Sequence, residues 1–287
     1  VIIDDTLRTL IDLALKEDLG DAGDVTSLAT LPQNSRITGR ITAKAAGVIA
    51  GLPIVAEVYS ILSPSTHVET FVQDGDHVEV GTVVCEVEGL SHDVLAGERV
   101  ALNFLQRLSG VATLTSKFVE AVDSVGAKTR ILDTRKTNPG FRMLEKYAVK
   151  MGGGENHRIG LFDMVLIKDN HIDAAGGVKE AICAALDYTQ KKKLPIVVEV
   201  KNENELRTAL EFPISRVLLD NMTTQEMRNA VEITAGRVPL EASGNMTLDR
   251  VAEVAATGVD YISVGALTHS APVLDLSMRL SEVQRSS

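Results

Sequence analysis

Hydrophobic positions along the chain follow two different periods, and the change between them divides it. Thr6 to Leu19 places Leu7, Leu10, Ile11, Leu13, Ala14 and Leu15 on one broad helical face, and Gly20 follows where a cap glycine belongs. A polar loop is predicted from Asp21 to Ser27. A helix-poor region comes next, in which Arg36 to Ala50 alternates in the manner of a strand. Between Thr70 and Gly89, turn dipeptides interrupt β-branched runs, which predicts a small antiparallel sheet with two tight turns. The Asp74-Gly75-Asp76-x-Val78-x-x-Gly81 pattern also occurs in lipoyl- and biotinyl-carrier hairpins. No lysine stands at the tip of a matching second hairpin, so it reads as structural. From Asp93 to about Val125 the pattern is helical again, with Ser91 or Asp93 as cap and Gly110 as a break.

After Gly126 short β-rich runs alternate with helical stretches, the pattern of βα units around a parallel sheet. The runs are 128–133, 163–168, 195–201, 215–220, 238–243 and 259–265; helices are predicted over 174–190, 203–211, 223–235 and 248–256. Nearly every run is apolar at its start and polar at its end. Those ends carry Asp133 with Arg135 and Lys136, then Lys168, Glu199 with Lys201, Asp220, Glu241 with Ser243, and Gly265. A doubly wound open sheet binds ligands near one switch point, whereas a barrel builds its site from all its strand ends. The distribution predicts an α/β barrel that is closed or nearly so, although six strands fall short of eight.

The chain has 287 residues and a formal net charge of −10, which argues against a nucleic-acid surface, as does the absence of Trp. No apolar run approaches the ~20 residues needed to span a bilayer. Val1 to Asp5 lacks the basic start of a secretory signal, and the two cysteines match no metal spacing. These features predict a soluble cytoplasmic protein.

Against that acidic background, Asp133 to Asn170 holds seven Lys/Arg and five Asp/Glu, a net +2. The local inversion points to an anionic ligand. Arg135-Lys136 and His157-Arg158 flank Gly152-Gly153-Gly154, and arginine's planar fork suits carboxylate or phosphate. The triplet does not follow a strand in the G-x-G-x-x-G arrangement, so a dinucleotide fold is rejected. Lys168 ends an apolar run and reads as an anion clamp, a Schiff-base amine, or a lysine reaching solvent. Glu199 and Asp220 either form salt bridges to Lys168 and Lys201 or bind hydroxyls and hydrated Mg²⁺. Ser243-Gly244-Asn245 and Gly265-Ala266 enter helices after the last two strands, where backbone N–H groups can seat a phosphate.

Taken in order, Gly97-Glu98-Arg99 with Leu102-Asn103, Asp133-Thr134-Arg135-Lys136-Thr137, Glu155-Asn156-His157-Arg158, Lys168-Asp169-Asn170-His171, Glu199-Val200, Leu219-Asp220-Asn221, Glu241-Ala242-Ser243-Gly244-Asn245 and Ser263-Val264-Gly265-Ala266-Leu267-Thr268-His269-Ser270 resemble the quinolinate phosphoribosyltransferase family. The resemblance spans essentially the whole chain. It implies an N-terminal α/β sandwich domain over 1–109, an incomplete (open) α/β barrel carrying the active site over 110–269, and a C-terminal helix over 270–287 packing back on the first domain. It implies decarboxylating transfer of phosphoribose from phosphoribosyl diphosphate to quinolinate with Mg²⁺, in a homodimer or larger assembly with shared sites.

By the same resemblance, Arg99 (from a partner subunit), Thr134, Arg135, Lys136, His157, Arg158 and Lys168 bind quinolinate carboxylates and nearby phosphate. Glu199 and Asp220 hold ribose hydroxyls and the Mg²⁺-diphosphate, touching the metal through substrate and water. Ser243, Gly244, Asn245, Val264, Gly265 and Ala266 seat the 5′-phosphate, and Lys136, Lys168, Glu199 and Asp220 carry catalysis. Three alternatives stand beside this reading. They are a related enzyme associated with molybdenum transport, a Schiff-base aldolase using Lys168, and a silent sensor of phosphorylated metabolites.

Overall fold

The computed structural model describes residues 2–284. Two compact units are present. The first comprises the chain up to Leu114, Lys150–Gly153 and the chain from Ala271 on; the second comprises Thr115–Val149 and Gly154–Ser270.

The first unit opens with α1 (Asp5–Leu19), α2 (Val25–Thr30), β1 (Arg36–Ala43), β2 (Gly47–Val48), α3 (Leu52–Leu62), β3 (His67–Thr70), β4 (His77–Val78), β5 (Val83–Leu90) and the first turns of α4 (Ser91–Asp123). Asp4 caps α1 by accepting from the Leu7 N–H at 2.9 Å, and Gly20 ends it at φ 51°. The buried face is narrower than the pattern suggests: Leu7, Ile11 and Leu15 are inside, while Leu13 is exposed. Two short helices lie where none is predicted. Asp24 caps α2 with two backbone hydrogen bonds of 3.1 Å. The N-terminus of α3 is capped from a distance, since the Asp74 carboxylate accepts from the Gly51 and Leu52 N–H groups at 2.8 and 3.0 Å. A cap from more than twenty residues away leaves no local signal.

Gly110 does not break α4, which runs unbroken through it. A Cβ there would lie 2.0 Å from the Pro272 carbonyl oxygen, so glycine serves close backbone approach rather than termination.

The second unit contains the rest of α4, then β6 (Arg130–Leu132), most of α5 (Arg142–Met151), β7 (Val165–Ile167), α6 (Asp169–Ala175), α7 (Val178–Thr189), β8 (Ile196–Val200), α8 (Glu203–Ala209), β9 (Arg216–Asp220), α9 (Thr224–Thr234), β10 (Leu240–Ser243), α10 (Leu248–Ala255), β11 (Tyr261–Ser263) and α11 (Ala266–His269). All six predicted strands form. They pair parallel in the order β6-β11-β10-β9-β8-β7. Among the described residues no pairing joins β6 to β7, and beyond β6 there is one isolated bridge, Leu132 to Glu155. The barrel is open.

The chain then returns to the first unit as β12 (Leu276–Gln284), antiparallel to β1 at the edge of a β12-β1-β5-β3 sheet. The C-terminal helix predicted over 270–287 is therefore corrected to a strand through residue 284; residues 285–287 lie outside the described residues. The sheet hydrogen bonds offered by β1 decide this segment's conformation, and they are supplied by chain more than 230 residues away. No helix among the described residues is long and apolar enough to cross a membrane. Cys85 is buried and Cys183 exposed, and both are free thiols.

Candidate active site

Parallel register sets which side chains share the barrel interior. Glu199 pairs with Leu218, Leu218 with Glu241, and Glu241 with Tyr261, so these four form one row. Two residues further on, Asp220 and Ser243 pair on the same face, one layer nearer the strand C-termini. Glu199 is buried, and its Oε2 lies 3.3 Å from Nζ of the half-exposed Lys168. The Lys168–Glu199 salt bridge is thus formed. Lys201 turns instead to Asp169 at 3.4 Å, and Asp220 accepts from the Asn221 side chain at 2.9 Å.

The cationic segment is organised around Asp133, which directly follows β6 and is 0% exposed. Its carboxylate accepts from the Lys146 ammonium, from Asn156 Nδ2 at 2.5 Å and from the His157 N–H at 2.9 Å. Lys146 is 2% exposed and also donates to the His157 carbonyl at 3.0 Å. Burial pushes the Asp133 carboxyl pKa up and the Lys146 ammonium pKa down, and each partner opposes the other's shift. His157 is 9% exposed; its Nε2 lies 3.3 Å from Glu241 and its Nδ1 accepts from the Arg158 N–H at 2.7 Å. The resemblance puts His157 among the substrate ligands, whereas here both of its ring nitrogens are taken by the protein.

Two other α5 side chains fix the loops. Arg142 donates to Thr137 Oγ1 at 3.1 Å, to the Ile159 carbonyl at 3.1 Å and to the Arg135 carbonyl at 3.4 Å, tying the loop after β6 to the one after Arg158. The buried Glu145 accepts from the Asn138 backbone and side chain at 3.1 and 3.0 Å. Arg142, Glu145 and Lys146 are the members that sequence reasoning missed, and Glu241 reads there as a strand end without its contacts to His157 and Arg216. Adjacent Glu and Lys in a helix normally face water, so nothing in the pattern marks 145 and 146 as interior.

What these supports hold is a pair of neighbouring cations, Arg135 and Arg158. Burial and then the neighbouring Arg135 push the Arg158 guanidinium pKa below its ordinary value, with Asp163 opposing. Arg135 Nε is buried without a hydrogen-bond partner among the described residues, while Arg158 Nη1 donates to the Met164 carbonyl at 3.0 Å. Like charges brought together with a donor unused suit an anionic ligand. Lys136 is exposed; its N–H donates to Thr134 Oγ1 at 3.1 Å, and its carbonyl accepts from Thr268 at 2.7 Å. A Cβ at Gly265 would stand 3.1 Å from Lys136 Cδ, so the glycine leaves that side chain its room.

The loops after β9 and β10 interlock. Asn221 N–H donates to the Ser243 carbonyl at 3.0 Å, and Arg250 donates to the Gly244 and Met222 carbonyls at 3.3 and 2.9 Å. Asn221, Gly244 and Asn245 all have positive φ, and a Cβ at Gly244 would lie 2.1 Å from Asn221 Oδ1. Gly244→Ala is therefore expected to destabilise by roughly 1–3 kcal/mol, read as a lower urea midpoint. An unchanged midpoint would show that the loop does not need glycine. Val264 is buried beside β6, with its N–H donating to the Leu132 carbonyl at 2.9 Å, and Gly265 and Ala266 open α11. Arg99 lies on α4 in the first unit and is exposed, 3.9 Å from Glu98.

No group of three or more His, Cys, Asp or Glu able to hold a metal occurs among the described residues. Glu199 and Asp220, one layer apart on successive strands, suit Mg²⁺, which is usually held by one or two carboxylates with substrate phosphate and water completing the shell.

Parallel strands, an open barrel and cations gathered at the strand C-termini define an α/β-barrel enzyme that handles anionic substrates. Residues 24–109 and 111–279 match the families described as the N-terminal and C-terminal domains of quinolinate phosphoribosyl transferase. The chain belongs to the quinolinate phosphoribosyltransferase family. It is 44% identical to the mitochondrial quinolinate phosphoribosyltransferase [decarboxylating] 2a of Nicotiana tabacum, over 96% of this chain and 82% of that protein. It is 41% identical to the probable nicotinate-nucleotide pyrophosphorylase [carboxylating] of Bacillus subtilis, over 95% and 92%. The nicotinate-nucleotide pyrophosphorylase structure from Francisella tularensis superposes with TM-score 0.93 at 37% identity, covering 98% of both chains. An N-terminal α/β domain with an open α/β barrel is the fold these comparisons bear out.

Proposed function

We propose that this protein transfers phosphoribose from phosphoribosyl diphosphate to quinolinate with loss of the 2-carboxylate, giving nicotinate mononucleotide, diphosphate and carbon dioxide on the route to NAD. The observation that carries the proposal is the Arg135–Arg158 pair with its unused buried donor, on a chain whose relatives bear that activity in their names. The comparisons lend the aldolase and molybdenum-associated readings no support, and Lys168 is ion-paired rather than held in an apolar pocket. The direct test is carbon dioxide release from quinolinate labelled in its 2-carboxylate. Release that does not depend on phosphoribosyl diphosphate would overturn the proposal.

In this reading Arg135 and Arg158, with Lys136, Lys168 and Arg99 of a second subunit, take the quinolinate carboxylates and nearby phosphate oxygens. Glu199 and Asp220 hold the ribose hydroxyls and the magnesium-bound diphosphate. Ser243, Gly244, Asn245, Val264, Gly265 and Ala266 receive the 5′-phosphate. As the C1′–diphosphate bond breaks, the ribose becomes oxocarbenium-like, and Glu199 and Asp220 favour its positive charge while the fixed cations stabilise the leaving group. The pyridine nitrogen attacks C1′, so no protein nucleophile is needed. The adjacent carboxylate then departs as carbon dioxide, leaving its electron pair on C2, where the positive pyridinium nitrogen stabilises it as an ylide until a proton from water completes nicotinate mononucleotide. The resemblance supports an assembly of at least two subunits, and the two free thiols support a reducing setting such as the cytoplasm.

Magnesium, when bound, offsets charge on the diphosphate. Chelation is expected to lower turnover by about 10² or more, with recovery on adding Mg²⁺, since such charge stabilisation is worth several kcal/mol. Undiminished turnover in excess chelator would remove the metal from the mechanism and leave the transfer reaction standing.

A further inference from the structure

Glu241 has no substrate role in the reading above, yet it is 0% exposed in the interior row of the barrel. A buried carboxylate is costly unless it is paired and hydrogen-bonded. Its Oε2 accepts from Arg216 Nη1 at 2.8 Å and faces His157 Nε2 at 3.3 Å, while Oε1 has no partner among the described residues. One oxygen therefore takes both donors. Burial raises the carboxyl's pKa, and the bonds from His157 and Arg216 outweigh that and hold it below the ordinary value.

The histidine between them is gripped at every polar atom. Its N–H donates to Asp133 and its carbonyl accepts from Lys146. Nδ1 accepts from the Arg158 N–H, so the ring proton sits on Nε2, the nitrogen that faces Glu241. A carboxylate accepts only, so it selects that tautomer. Without an acceptor there, a proton on Nδ1 would meet the Arg158 N–H head on and break the 2.7 Å bond. Arg158 would then be held by its guanidinium's bond to Met164 alone among these contacts.

We propose that Glu241 is a positioning residue for the dicarboxylate substrate: it fixes His157 as the Nε2–H tautomer and thereby sets the backbone from which the Arg158 guanidinium reaches a carboxylate. The inference rests on the reading of Arg158 as a carboxylate ligand. His157 then acts through Arg158 rather than on the substrate.

The test compares Glu241→Met, Glu241→Gln and Arg158→Ala by steady-state kinetics, with nitrogen-15 spectra of the histidine rings and His157 assigned from its substitution by Asn. Glu241→Met is expected to raise the KM for quinolinate about tenfold, the effect of losing one hydrogen bond, while the KM for phosphoribosyl diphosphate stays unchanged. Its His157 spectrum should lose the Nε2–H pattern. Glu241→Gln, with its carbonyl where Oε2 lies, is expected to restore both. Because Met leaves Arg216 facing no charge, the Glu241→Met/Arg216→Met double variant repeats the measurement in a neutral interior. An unchanged quinolinate KM, equal rises in both KM values, or a wild-type His157 protonated at Nδ1 would each overturn the inference. The last of these needs no variant to fold. If Arg158→Ala itself leaves quinolinate binding intact, the carboxylate-ligand reading fails. If Arg158→Ala weakens binding and Glu241→Met does not, the role of Glu241 alone falls.

Discussion

Replacing Arg158 by alanine is expected to lower kcat/KM for quinolinate by roughly 10²–10³ while leaving the urea midpoint close to that of the parent protein, the range seen when one donor that stabilises developing charge is removed. The guanidinium is half-buried and destabilised in the free protein by its surroundings and by Arg135. Removing it relieves repulsion when no ligand is bound and forfeits a paired charge when one is. Stability and activity should therefore separate. Lys136→Ala should behave alike, because its side chain is exposed and only its backbone is used by Thr268. Near-normal turnover in either variant would remove that residue from the site.

The second large effect concerns folding. Lys146→Met is expected to cost about 3–5 kcal/mol, because it strands the Asp133 carboxylate in the interior. Asn156 and the His157 N–H would still donate to it, but neither carries charge. Adding Asp133→Asn should recover much of the loss, since the pair then becomes neutral, and a double-mutant cycle in urea gives the coupling. Additive effects of the two substitutions would show that the ion pair does not matter to stability. Activity should fall with Lys146→Met even where the protein remains folded, because the lysine also fixes the His157 carbonyl, one residue from Arg158.

These two experiments touch different layers of one site, and the layers differ in how far they can be read from sequence. Arg135, Lys136, Lys168, Glu199 and Asp220 stand out because charged residues at the ends of apolar strands break a local pattern, and Arg158 because two basic pairs flank the Gly152-Gly153-Gly154 triplet. Asp133 is visible for the same reason, but its work is not. It holds the loop that carries Arg158, and its partners Lys146 and Asn156 come from a helix and a loop that the pattern leaves without assignment. Glu241 likewise looks like one more strand-end carboxylate. Only register shows it lying one layer deeper than Ser243 and facing His157.

The same division holds for the fold. Strand period, polar strand ends and alternating helices determined the parallel α/β core, because each is written in consecutive residues. The N-terminal capping of α3 by Asp74, the continuity of α4 through Gly110, and the strand at 276–284 were decided by tertiary structure. In each case the deciding group is supplied by chain at least twenty residues away. The cationic stretch from Asp133 to His171 belongs to both kinds. Its charge inversion is sequence-encoded, whereas which of its cations stay free for an anion and which are consumed as supports depends on burial.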